Sequence, residues 1–288
     1  MFKQLVPMKI KILFYRINAW YITLLAQQTA SVTCPVCLST KSKILSYGPT
    51  SAVSGPSIKY PEISVGHNKY RCLNCSNLFA TWLQRDLSEV GEIYSGIDNG
   101  ESEVYVENSR KEVQKEMMRI CSAQIRKLYR NRPVLRILDF GCGPNYKAAV
   151  EMNEEDNRLD CYSCDINPAL PYNGTNFFKY PDTVPEEMRG SFDGICSVDV
   201  FEHLNLPLED MRGFNRLLKN GGIMVHFTPL QWYFRIHHGG HDATAFHTNF
   251  PSRKSLKILC DKTGFKFIGD YMPKYGYWYL VFIKSFDS

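Results

Sequence analysis

The sequence has no low-complexity stretch, no internal repeat and no uncharged apolar run of 18 residues. The missing run argues against a membrane-spanning helix. Its nearest approach is "MKIKILFYRINAWYITLLAQ", which Arg16 and Asn18 interrupt. Residues 1–30 therefore read as an amphipathic segment lying on the protein or on a membrane surface, rather than as a signal peptide or anchor. A start at Met8 would make the first residues incidental. Charge of one sign is also scarce: the net charge is +5, which permits an anionic partner without requiring one. A disulfide pattern is missing as well. Of ten cysteines, four form two Cys-x-x-Cys pairs in a polar segment, and most others sit in apolar runs. Reduced thiols suit a cytoplasmic protein better than a secreted one.

The 288 residues, 44% apolar and 22% charged, are enough for one large domain or two ordinary ones. Three parts are expected: the segment 1–30, a cysteine module over 31–100, and a larger domain over 101–288. The module is rich in Ser, Gly, Pro and Tyr, with little core of its own. A unit like that needs a staple. Next comes a helical pattern over 101–129, with Val104, Val113, Met117, Ile120, Ile125 and Leu128 near a 3.6-residue period. After it, strands alternate with helices. Gly221 and Gly222 are expected to stop the helix of "PLEDMRGFNRLLKN", and Ser252 to cap the next. "KFIGDYM" and "YWYLVFI" read as a final antiparallel pair. The alternation implies an α/β fold, doubly wound on a mostly parallel sheet. Ligands of such sheets sit at the carboxyl ends of the strands.

At the first of those ends stands "RILDFGCGPN". A dinucleotide turn wants Gly-x-Gly-x-x-Gly, but Tyr146 occupies the last position. Asp139 would also face the pyrophosphate. A like-charge pair at about 4 Å costs on the order of 4 kcal/mol at an effective dielectric near 20. S-adenosylmethionine has no phosphate and carries an ammonium and a sulfonium. Asp139 suits that ammonium, Gly141 and Gly143 let the backbone approach, and Asp165 can accept from ribose hydroxyls.

"CPVC" at Cys34 and Cys37 and "CLNC" at Cys72 and Cys75 suit one tetrahedral Zn(II) held by four thiolates. Such a closed site is structural. Cys161 and Cys164 are also three apart, but on a strand, where they face opposite sides. They read as core.

"RILDFGCGPN", "CYSCDINP", "FDGICSVDVFEHL", "RLLKNGGIMVHFTP" and "HTNFPSRKSLKILCDKTGF" occur in the order and spacing of class I S-adenosylmethionine-dependent methyltransferases, which residues 134–288 resemble. The resemblance implies a Rossmann-like sheet of seven strands, with Asp139, Gly141 and Gly143 at the methionine end. It also implies Asp165 on the ribose, Asp199 beside the methionine moiety and an adenine contact after the third strand, where Asp182 is the candidate. Asn145 departs from the family pattern at the third glycine.

Methyl transfer needs a positioned nucleophile and a base. His203 is the base candidate, with Glu202 beside it. "FTPLQWYFRIHHGGHDATAFHTNF" is the expected substrate wall, with Trp232, Tyr233, His237, His238, His241 and His247. Asp199, Glu202, His203 and a later histidine look somewhat like the metal site of small-RNA 2′-O-methyltransferases. A zinc-ribbon-like module, then "EIYSG", then this domain resembles sugar methyltransferases of deoxysugar and surface-polysaccharide pathways. Tyr94 takes the position of a substrate-reaching tyrosine; a second expected tyrosine is missing. The resemblance implies a nucleotide-linked sugar as substrate. One alternative is an RNA methyltransferase whose zinc module grips nucleic acid, favoured by the basic run around Arg110–Arg132. The other is a cofactor-free binding module, which the intact Asp139, Gly141, Gly143 and Asp165 argue against.

Overall fold

Strand β5 (Leu135–Phe140) is buried along its length except at Arg136, as a central strand covered on both faces must be. In the computed structural model, which describes residues 29–45, 69–80, 103–167, 176–179, 185–204, 206–228, 249–271 and 279–286, this strand is the centre of the larger sheet. Its parallel neighbours are β6 (Leu159–Asp165) and β8 (Phe192–Val198). Beyond them lie β7 (Phe177–Lys179) on one side and β9 (Leu218–Phe227) on the other. The antiparallel strands β12 (Tyr279–Lys284) and β11 (Phe265–Tyr271) finish the β9 edge. The sheet has seven strands in the order β11-β12-β9-β8-β5-β6-β7, so it is mixed, with a parallel majority of strands as expected. The chain builds outward from β5 first to β6 and β7, then to β8 and β9. The switch of direction opens a crevice between the carboxyl ends of β5 and β8.

Helices cover both faces. α1 (Glu103–Leu128) and α2 (Lys147–Glu155) lie on one, α3 (Pro207–Leu217) and α4 (Arg253–Thr263) on the other. The alternation of β5 shows in its contacts: Ile137 packs with Met118 and Cys121 of α1, while Leu138 packs with Phe214 and Leu256 of α3 and α4. Cys161 and Cys164 divide the same way. α1 comes close because β8 has Gly194 beneath it. A Cβ there would lie 2.5 Å from the Cys121 sulfur and 2.9 Å from Ile125 Cδ1.

Two expectations need correction. The buried stripe of α1 runs through Gln114, Met117, Met118, Cys121 and Ile125, whereas Val113 and Leu128 are exposed. The apolar period is right for Met117, Ile120 and Ile125 but out of phase at Val113 and Leu128, and the side chain of Val104 lies outside those described. The second concerns Gly221 and Gly222. α3 stops at Leu217, because Leu218 is already extended (ψ 143°) and opens β9. Gly221 instead serves an irregular stretch of β9, at φ +73°, where a Cβ would meet the Tyr129 hydroxyl at 2.2 Å. Ser252 does cap α4, in a reciprocal box with Ser255, and Gly264 closes it in the left-handed conformation.

The cysteine module is a small antiparallel sheet of β1 (Thr29–Ser31), β2 (Lys41–Leu45), β3 (Lys69–Cys72) and β4 (Leu78–Ala80). A fifth strand, β10 (Asn249–Phe250), pairs antiparallel with β4 and comes from the far end of the chain. Asn77 donates to Asn249 across this seam at 2.9 Å, with both side chains buried. Ser252 Oγ donates to the Cys75 carbonyl and Ser255 Oγ to Asn77 Oδ1. Cys34, Cys72, Cys75 and Phe79 share a core with α3 and α4. No helix among the described residues is long and apolar enough to cross a membrane. The segment 1–28 lies outside those residues.

Candidate active site

The loop after β5 is fastened to β6. Gly141 and Cys142 both donate their N–H to the Cys164 carbonyl, at 2.8 and 3.1 Å. Gly141 adopts φ +72° and Gly143 φ +55°. A Cβ on Gly141 would approach Val200 Cγ2 to 2.4 Å, so this residue must be glycine for space as well as for torsion. Nothing lies within 4 Å of a Cβ built on Gly143, so its backbone is open to a ligand. The 3-10 turn Gly143–Asn145 then leads into α2. Tyr146, where a dinucleotide fold has glycine, stacks on Phe177 of β7 with ring centroids 4.8 Å apart.

Asp165 at the end of β6 organises the neighbouring loops. One carboxylate oxygen accepts from Gly143 N at 2.7 Å and the other from Asn167 N at 2.8 Å. Asp139 is different. It is 1% exposed, and neither carboxylate oxygen has a hydrogen-bond partner among the described residues. Burial pushes its carboxyl up to about 7, and the charge of Asp165 adds to the shift. A buried carboxylate left without donors is costly, so the site is built for something that brings them.

Across the crevice, Asp199 follows β8 with φ +52°, an uncommon torsion that Asp tolerates better than most. It holds its place by donating N–H to the Phe227 carbonyl at 2.9 Å. The 3-10 turn Phe201–His203 comes next. Glu202 is buried and accepts a hydrogen bond from Thr228 Oγ1 at 2.8 Å. Burial, with Asp199 as a second cause, pushes it up to about 8. His203 is part-exposed on the same turn. β10 touches this turn, so the cysteine module's sheet abuts the rim of the crevice.

The four cysteines meet. Cys34 and Cys75 sulfurs are 3.6 Å apart, Cys37 and Cys72 sulfurs 3.4 Å, and all four lie within 4.8 Å of one another. The two knuckles have the same backbone. Leu38 N donates to Cys34 O as Ser76 N does to Cys72 O, and Cys34 N donates to Ser39 O as Cys72 N does to Asn77 O. Leu38 and Ser76, each following a knuckle's second cysteine, share the left-handed conformation. Four convergent thiols of this kind could hold one tetrahedral metal ion. Among the described residues no other group of three or more His, Cys, Asp or Glu is close enough to do so.

The structure thus brings Asp139, Gly141, Gly143 and Asp165 together on one side of the crevice, with Asp199, Glu202 and His203 on the other. Asp182, Tyr94 and His247, with residues 229–248 of the expected substrate wall, lie outside the described residues. Of the buried polar residues at the crevice, Gln114 of α1 escaped the sequence reading altogether, while Asn145 was noted only as a departure from the family pattern and Thr228 only as part of the expected substrate wall. His226 is buried too, but it is core. Its Nδ1 is 2.6 Å from Ser197 Oγ, Phe201, Phe214 and Phe282 surround the ring, and burial lowers it to about 3.

A family described as a methyltransferase domain matches residues 110–268, more than half of the chain. No curated protein sequence matches it. Among solved structures it is similar to a chain from the complex between the Haloferax volcanii Trm112 methyltransferase activator and a putative methyltransferase. That match has 12% identity and a TM-score of 0.46, over 62% of this chain and 95% of that one. It is also similar to magnesium protoporphyrin IX methyltransferase from Synechocystis PCC 6803, at 17% identity and a TM-score of 0.44, over 69% and 100% of the two chains. A third is a putative sarcosine dimethylglycine methyltransferase from Galdieria sulphuraria, at 16% identity and 0.41, over 58% and 86%. With more than half of its length matched by the family, the chain belongs to the methyltransferase domain family and is an S-adenosylmethionine-dependent methyltransferase.

Proposed function

We propose that this enzyme methylates a small molecule, a nucleotide-linked sugar or polysaccharide precursor. The supporting observation is the seam between β4 and β10. It makes the cysteine module part of the wall beside the turn that carries Glu202 and His203. A substrate-walling module is what the sugar-pathway resemblance implies. In this reading residues 1–30, 31–100 and 101–288 are the terminal segment, the module and the catalytic domain.

The residues at hand fit the cofactor. Asp139 offers two unpartnered oxygens to its ammonium. Gly141 and Gly143 open the backbone beside it. Asp165, fixed at the end of β6 by the Gly143 and Asn167 N–H groups, is the carboxylate for the ribose hydroxyls. Asp199 lies beside the methionine moiety, and Asp182 contacts the adenine. When bound, S-adenosylmethionine supplies an electrophilic methyl on a sulfonium. His203 removes the acceptor's proton, being part-exposed at the rim. Glu202, buried and bonded to Thr228, holds the turn that presents His203. Tyr94 and His247 reach the substrate. Cys34, Cys37, Cys72 and Cys75 hold a structural Zn(II), which their chemistry and convergence fit. Incubation with the cofactor and a panel of nucleotide-linked sugars tests this, with methyl transfer to one of them expected. Failure on every sugar, with turnover of another acceptor, would sink the assignment.

RNA is the second reading. The outer face of the module sets Lys43 directly opposite Arg71, with Lys41 exposed nearby. Like charges so placed repel unless an anion joins them. Under this reading RNA binds and weakens steeply as salt rises. Absence of RNA binding at low salt removes it.

A further inference from the structure

Four of the seven buried side-chain atoms without a hydrogen-bond partner among the described residues lie around one loop. They are both oxygens of Asp139, Oε1 of Gln114 and Oδ1 of Asn145. The three side chains are 1%, 5% and 4% exposed. All four atoms are acceptors. Gln114 Nε2 donates to the Cys142 carbonyl at 2.8 Å, and Asn145 N donates to the same carbonyl at 3.3 Å. Since a carbonyl can only accept, the Gln114 amide is fixed with its oxygen turned away from that bond. Asp139 belongs to the same place. It follows Ile137 by two on β5, so it faces the α1 side, and its partner across β8 is Cys196, which packs with Met117 and Cys121. Gln114 lies one turn before Met117 and Met118 on that buried stripe of α1.

Four unpartnered acceptor atoms on three elements, two of them from a carboxylate, favour a ligand group with several N–H donors and positive charge. We propose that Gln114 and Asn145 join Asp139 in binding the ammonium of the cofactor's amino-acid end, with Gln114 delivered by the helix that precedes the sheet. This inference rests on the reading of Asp139 given above. It adds a consequence of its own: α1 also holds the glycine loop through Cys142, so cofactor binding depends on how that helix docks.

Two probes separate the parts. S-adenosylhomocysteine has the ammonium without the sulfonium, and 5′-methylthioadenosine lacks the whole amino-acid end. Calorimetry on the full chain should show the first binding far more tightly. In Gln114→Met its affinity should fall tenfold or more, with 5′-methylthioadenosine changed less than twofold. Equal losses for both ligands, or no loss for either, overturn the role of Gln114. If Gln114→Met does not fold, Asn145→Asp serves. The added charge should tighten S-adenosylhomocysteine alone, and no selective change overturns the proposal. If the wild type does not prefer S-adenosylhomocysteine, the reading of Asp139 itself fails, a result distinct from either variant's.

Discussion

Asp139 is held where the free protein would do better without its charge. The titratable groups around it are Asp165 and the thiols of Cys142, Cys161, Cys164 and Cys196, none of them a cation. Its folded pKa, near 7, is raised above the usual Asp value. The stabilisation from holding that proton is full below pH 4 and is lost as pH rises through 7. Glu202 adds the same trend up to about 8. The ligand-free enzyme should therefore lose melting temperature between pH 5 and 8, and saturating cofactor should flatten the Asp139 part of that slope. A melting temperature that climbs over this range would contradict the burial argument. Asp139→Asn should raise the melting temperature of the free protein at pH 8, because the amide carries no charge to bury. It should also weaken S-adenosylmethionine binding by about 1.5–3 kcal/mol, roughly 10- to 150-fold, the worth of a charged hydrogen bond. Titration calorimetry and a thermal melt on the same sample check both. Much of this residue was legible in the sequence: the clash of a carboxylate with a pyrophosphate pointed to a cation. Gln114 was not, because a lone glutamine on an amphipathic helix looks like its solvated edge, and Val113 beside it seemed to claim the buried face.

Among the elements, the turn after β5 and the helix α1 constrain the site most. Gly141→Ala should cost about 1–3 kcal/mol for its torsion alone, before the 2.4 Å approach to Val200. Because Val200 adjoins Asp199, the variant should also lose cofactor affinity. Intact cofactor binding in a destabilised Gly141→Ala protein would uncouple the two loops. Strand and helix order followed from period and punctuation, and the cap at Ser252 from its Ser at the head of an apolar-periodic run. The end of α3 did not. Gly221 and Gly222 suit a helix stop and an irregular strand equally well, and only β9's pairing with β8 and β12 decides between them.

At the scale of the molecule, the module and the sheet share one core through Cys34, Cys72, Cys75 and Phe79. Metal analysis should find one zinc per chain. Stripping it should lower the melting temperature of the whole protein in a single transition, since among the described residues the module's buried cysteines and Phe79 belong to the shared core. A loss of only 3 kcal/mol would shift it by about 6–12 °C. Two resolved transitions, with the methyltransferase part unmoved, would show the module to be independent. The knuckles were legible because Cys-x-x-Cys is a local pattern. The β4–β10 seam was not, because two residues carry no period and their partner lies far away in sequence.

That seam also sets an order of events on the ribosome. Asn77 and Asn249 are 172 residues apart. At about 5–20 residues per second, β4 emerges roughly 9–35 s before the strand that covers its edge is made. The four thiols are complete by Cys75, so a metal captured during synthesis can fold the knuckles while that edge is still bare. A nascent chain short of metal would present an open strand edge with no fold behind it, and its yield in cells should follow metal supply during synthesis more closely than metal supply afterwards.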